Sequence, residues 1–107
     1  MLFRSSHNHG QGHGHDHGAP LFALELGRSY EMEIVNDTAW PHPIHLHGHV
    51  FRVLAGPAEG EWRDTLLVEP GRRATVAFVA DNPGDWMLHC HILDHQESGM
   101  AAFVRVG

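Results

Sequence analysis

Beyond Pro20 the chain alternates apolar and polar residues in short runs, each closed by glycine or proline. Tyr30-Glu31-Met32-Glu33-Ile34-Val35 is the cleanest example and stops at Asn36-Asp37. A period of two puts one set of side chains on a buried face and the other on a wet one, which is the signature of a β-strand. Strands of this kind are predicted at 21–26, 30–35, 49–54, 63–68, 72–79, 85–91 and 101–106. The punctuation is Gly27, Gly56-Pro57, Glu69-Pro70-Gly71 and Asn82-Pro83-Gly84. No sustained helical period appears, apart from one possible turn at 92–96. Seven or eight short strands spaced by turns predict an all-β sandwich or barrel.

Residues 5–18 break the pattern. Five histidines alternate there with glycine and small polar residues. Such a segment cannot bury a core and is expected to be disordered without metal. The predicted division is a His/Gly-rich tail or linker at 1–18 and a folded domain at 19–107. The tail could capture copper, nickel or zinc; it could equally be a solvated linker or a tag, although its interrupted spacing is unlike a tag's. The 107 residues suffice for one domain with one core. No apolar run is long enough to span a bilayer, and Met1-Leu2-Phe3-Arg4 is too short and polar for a signal peptide. Three alternatives stay open: a leader was removed, the chain is a piece of something larger, or it stays in the cytoplasm. A net charge of −6, with no lysine, excludes the basic patches that nucleic acid requires.

Chemistry concentrates in two runs. His89-Cys90-His91-Ile92-Leu93-Asp94-His95-Gln96-Glu97-Ser98-Gly99-Met100 surrounds the single cysteine with three histidines and a methionine. A lone cysteine is usually a small buried hydrophobe; one placed among imidazoles and a thioether makes up the ligand set of a blue-copper electron-transfer site. The second run is His42-Pro43-Ile44-His45-Leu46-His47-Gly48-His49. Strand geometry sorts these residues into two environments. His89 and His91 face one way and Cys90 the other; His45 and His47 share a face, while His42, an odd number of residues away, can turn inward. The inner set is Cys90, His42 and His95, with Met100 as a long axial ligand. The outer set is His45, His47, His89 and His91. Cys90 is covalently linked to both His89 and His91, which gives a short route between the two.

These motifs resemble the C-terminal cupredoxin domain of multicopper oxidases (laccases, bilirubin oxidases and bacterial copper oxidases). Asn36-Asp37-Thr38, His49-Val50-Phe51, Trp62-Arg63-Asp64-Thr65 and Asn82-Pro83-Gly84-Asp85-Trp86 extend the likeness across 21–107. The resemblance implies a single cupredoxin-like Greek-key β-sandwich. It assigns His42, Cys90, His95 and Met100 to a type 1 copper, His45 to a type 2 copper, and His47, His89 and His91 to type 3 coppers. His49 receives no copper and is expected to be structural or to donate a hydrogen bond. Several relatives carry an acidic residue directly after the type 1 histidine for proton delivery; Gln96 stands there, so either Asp94 or Glu97 substitutes or delivery is slower. Trp62 and Trp86 are expected to pack rather than relay electrons.

The implied activity is oxidation of a small reductant such as a phenol, aromatic amine or cuprous ion, transfer through Cys90, and reduction of O2 to water at a trinuclear cluster. The implied location is periplasmic or extracellular. In the family that cluster takes eight histidines from two domains, and this chain supplies four. It also looks short at its N-terminus for a last domain, where an extra strand often comes first. A homodimer, alone or closed into a six-domain ring, would supply the missing four, as would a partner cupredoxin domain. The alternative is an isolated or engineered domain, a blue-copper electron-transfer module with a half cluster or a mononuclear type 2 copper. A simple cupredoxin carrier has no need of all four outer histidines, and a nitrite-reductase-like site has none for His91.

Overall fold

The alternation read along the chain becomes burial. The computed structural model describes residues 2–5, 19–90 and 101–107. Within β3 (Ser29–Val35), Tyr30, Met32 and Ile34 are buried between two sheets while Ser29 and Glu31 are exposed. Ten strands occur among the described residues: β1 (Leu2–Ser5), β2 (Phe22–Leu24), β3, β4 (His42–Leu46), β5 (Phe51–Ala55), β6 (Trp62–Arg63), β7 (Thr65–Val68), β8 (Arg73–Val79), β9 (Gly84–Cys90) and β10 (Ala101–Val106). One sheet has the order β1-β3-β8-β5-β6 and the other β2-β10-β9-β4-β7. The chain changes sheet at almost every step, so most neighbours within each sheet are distant in sequence. This is the expected cupredoxin-like all-β sandwich. No helix among the described residues is long and apolar enough to cross a membrane; the turn expected at 92–96 lies outside them.

The inward faces of both sheets supply one core. Ile34, Phe51, Val53, Ala74, Val76 and Phe78 come from the first sheet, and Ile44, Leu46, Leu66, Val68, Leu88, Cys90 and Val104 from the second. Hydrophobic burial of this kind is the main favourable term in folding.

Two expectations are corrected. The run 63–68 is not one strand: it breaks at Asp64, where the chain leaves β6 in the first sheet and enters β7 in the second. The tail assigned to 1–18 does not begin at residue 1. Leu2–Ser5 form an antiparallel edge strand on β3, with Phe3 opposite Ile34 and Ser5 opposite Met32. The remainder of that segment, 6–18, lies outside the described residues. Pairing with β3 satisfies backbone groups that a tail would leave to water, and Phe3 packs against the core. Phe3→Ala is therefore expected to cost about 1–2 kcal/mol and lower the melting temperature by about 5–10 °C; an unchanged calorimetric melt would remove β1 from the folded unit.

Candidate metal centre

The register of β4 against β9 builds the centre. Ile44 lies opposite Cys90, His45 opposite His89, and Leu46 opposite Leu88. Along β4, His42, Ile44 and Leu46 are buried, while Pro43 and His45 turn to the outer face. His42 and Cys90 thus meet on the core side. Both are essentially inaccessible, and His42 Nδ1 lies 3.4 Å from Cys90 Sγ. The other ring nitrogen, Nε2, is 2.7 Å from Thr38 Oγ1. The two remaining members of the inner set, His95 and Met100, lie outside the described residues, as does His91 of the outer set.

Three outer histidines gather on the opposite face. Ring centroids are 4.7 Å apart for His45 and His47, 5.7 Å for His45 and His89, and 5.0 Å for His47 and His89. Backbone carbonyls orient two of the rings. His45 Nδ1 donates to Asp64 O at 2.9 Å, with Thr65 Oγ1 at 3.1 Å, and His89 Nδ1 donates to Cys90 O at 2.9 Å. A carbonyl accepts only, so each Nδ1 carries a proton, and in the neutral ring Nε2 keeps the lone pair. The Nε2 atoms of His47 and His89 approach to 2.9 Å. With the proton of His89 on Nδ1, His47 is the donor of that contact.

His47 sits at the start of a tight turn with a braced backbone. Its N–H donates to Met87 O, and His49 Nδ1 donates to its carbonyl at 3.2 Å. Asn82 Nδ2 donates to Gly48 O, and Trp86 Nε1 donates to Asn82 O at 2.8 Å. The indole of Trp86 lies directly against Gly48, with the His49 ring edge-on to it. Beside this turn is an open cleft of about 510 Å³, lined by His45, His47, His49, Asp64 and Asp81 among others. The surrounding outer face is partly apolar: Met87 and Leu67 share it with the histidines and are about half exposed. Further along, Arg105 forks onto Asp85 at 2.8 and 3.1 Å and holds that carboxyl below its usual range, chiefly by hydrogen bonding.

Residues 2–107 match the family model described as multicopper oxidase. The chain belongs to the multicopper oxidase family. It is 38 % identical over 97 residues to the iron transport multicopper oxidase fio1 of Schizosaccharomyces pombe, an alignment covering 76 % of this chain and 16 % of that protein. It is 43 % identical over 79 residues to the multicopper oxidase MmcO of Mycobacterium tuberculosis, covering 73 % and 16 %. Among solved structures, a multi-copper oxidase from Pseudomonas thermotolerans superposes with a TM-score of 0.78 at 43 % identity, covering 84 % of this chain and 23 % of that one. The chain thus spans under a quarter of the length of these multicopper oxidases.

Copper is the cofactor of a multicopper oxidase, and the inner pair fits such an ion. Donors at ~2.3 Å (sulfur) and ~2.0 Å (nitrogen) around a tetrahedral ion stand about 3.5 Å apart, close to the 3.4 Å between Cys90 Sγ and His42 Nδ1. The outer imidazoles fit as nitrogen donors, each Nδ1 of His45 and His89 being occupied by a carbonyl. Among the described residues no three His, Cys, Asp or Glu side chains converge on one point. Spacing in the sequence pointed to the histidines and the cysteine. It could not point to Thr38, Asp64, Thr65, Asn82 or Trp86 as the groups that hold them, because those contacts form only when distant segments meet.

Proposed function

We propose that this chain is the type 1 copper-bearing cupredoxin domain of a laccase-like multicopper oxidase. His42, Cys90, His95 and Met100 hold one copper, and His45, His47, His89 and His91 supply half the ligands of a trinuclear site shared with a second cupredoxin domain. When bound, copper supplies one-electron oxidation of a small reductant, a phenol or cuprous ion, and four-electron reduction of O2 to water. One observation carries the reading. Neighbouring residues Cys90 and His89 point to opposite faces of β9, each beside a histidine of β4. The covalent path between the two faces is thus a single peptide link.

The residues of this chain divide the remaining work. The core side keeps water away from the thiolate. The backbone carbonyls of Asp64 and Cys90 fix the tautomers of the outer rings. Met87 and Leu67 stand on the same outer face as the histidines and are about half exposed. We propose that a second copy of the chain, or another domain of the same protein, covers it. A periplasmic or extracellular site of action goes with this reading.

The test is copper content together with mass. It is made on the full chain with His7, His9, His13, His15 and His17 replaced by asparagine, so that β1 is kept and the segment binds no extra metal. One copper per chain plus three shared by a symmetric dimer predicts about 2.5 per chain, and the dimer should consume O2 when supplied with a phenol as reductant. A blue monomer holding one copper would overturn self-assembly and leave an electron-transfer module. His91→Ala in the assembled protein is expected to abolish O2 consumption while the blue colour remains; retained oxidase activity would remove the shared cluster from the reading.

A further inference from the structure

His42 is held from behind by a chain of hydrogen bonds whose directions can be worked out. Asn36 is completely buried. Its side chain lies 2.8 Å from Trp40 O and 2.9 Å from Val68 O on one side, and 2.9 Å from Thr38 N on the other. Two carbonyls accept only, and an amide N–H donates only, so Nδ2 faces the carbonyls and Oδ1 faces Thr38. The Thr38 hydroxyl lies 2.6 Å from that Oδ1, 2.7 Å from His42 Nε2 and 3.1 Å from Trp40 O.

A hydroxyl has one hydrogen to give. If Thr38 gave it to His42, its own lone pairs would face those of Asn36 Oδ1 at 2.6 Å, a repulsion at a partly buried site. Giving it to Oδ1 removes the conflict. The oxygen of Thr38 then accepts from His42 Nε2–H. The proton of the imidazole is thereby committed to Nε2, and the lone pair sits on Nδ1, the atom 3.4 Å from Cys90 Sγ.

We propose that Thr38, set by Asn36, is a positioning residue for the inner copper: it selects the His42 tautomer that presents Nδ1 beside Cys90 Sγ and fixes the plane of the ring. Partners of this kind orient a ligand histidine and raise its basicity. The copper part of the inference rests on the assignment of His42 and Cys90 to the inner site and on nothing about the outer face. The tautomer part holds for the metal-free protein alone.

The test has two readouts, neither of them activity. In metal-free protein labelled with ¹⁵N at histidine, His42 is expected to show a protonated Nε2 and a bare Nδ1. A proton found on Nδ1 in the unaltered chain overturns the inference with no variant needed. Thr38→Val is isosteric and is expected to leave His42 in a mixture of tautomers and to weaken cobalt(II) binding, followed by its thiolate charge-transfer band, by about 10–100-fold. Thr38→Ser, which restores the hydroxyl, is expected to recover both. Unchanged tautomer and affinity in a folded Thr38→Val protein would overturn the role. If the unaltered chain gives no cobalt–thiolate band, the inner-site assignment itself fails and takes the copper part with it, a result distinct from loss in the variant alone.

Discussion

Replacing Cys90 by serine is expected to erase the intense visible absorption of the copper-loaded protein and to remove one copper per chain. A thiolate is a soft, charge-donating ligand that suits a blue-copper site. A serine hydroxyl is a hard group that stays protonated at neutral pH and gives no comparable charge-transfer band. The site offers no substitute, since Cys90 is the only cysteine and is wholly buried. The fold itself should tolerate the change at a cost of about 1–2 kcal/mol for a buried hydroxyl. The outer histidines face the other way and should bind copper as before. Absorption spectra and metal analysis on the same sample decide it: a serine variant that remains blue would remove Cys90 from the inner site.

The largest effect on stability is expected at Gly48. Its φ is +74°, and a Cβ there would lie 2.5 Å from Cδ2 and Cε3 of Trp86. Gly48→Ala therefore combines left-handed strain with overpacking against a rigid indole, together about 2–4 kcal/mol. The melting temperature should fall by roughly 10–25 °C. Gly60 separates the two causes: its φ is +89°, and nothing stands within 4 Å of an added Cβ. Gly60→Ala should show only the strain, about 1–2 kcal/mol. Equal melting temperatures for the two variants would mean that Trp86 does not lie on the turn. Because Gly48 follows His47 directly, the Gly48 variant should also bind metal at the outer face less tightly than the Gly60 variant.

Much of the architecture was legible because strand alternation is a local signal. The burial of Tyr30, Met32 and Ile34 follows from period two alone, whereas in the apolar runs 66–68 and 76–79 the pairing of strands decides that Leu67 and Val79 face outward. The same rule separated His42 from His45 and His47, and Cys90 from His89, before any contact was known. What escaped depends on partners far away in sequence. Leu2–Ser5 is too short to show a period and becomes a strand only because the edge of β3 is there to pair with it. The break at Asp64 carries no glycine or proline, so 63–68 reads as continuous. Thr38 stood in the stretch that resembled the family, yet its bond to His42 depends on a buried Asn36 tied to Val68 O across 32 positions.

The crossing of the chain from sheet to sheet has a kinetic consequence. Neither sheet can form from consecutive hairpins alone, so most stabilising contacts close long loops, and chains of this kind fold in milliseconds to seconds rather than microseconds. His42 and Cys90 are 48 positions apart and meet only once β4 and β9 have paired. A copper ion arriving before that moment finds two separate runs of ligands, 42–49 and 89–100, on a fluctuating chain. Metal captured then would hold wrong pairings as readily as right ones, so loading is best timed after collapse, when the pocket already exists and the ion has only to enter it.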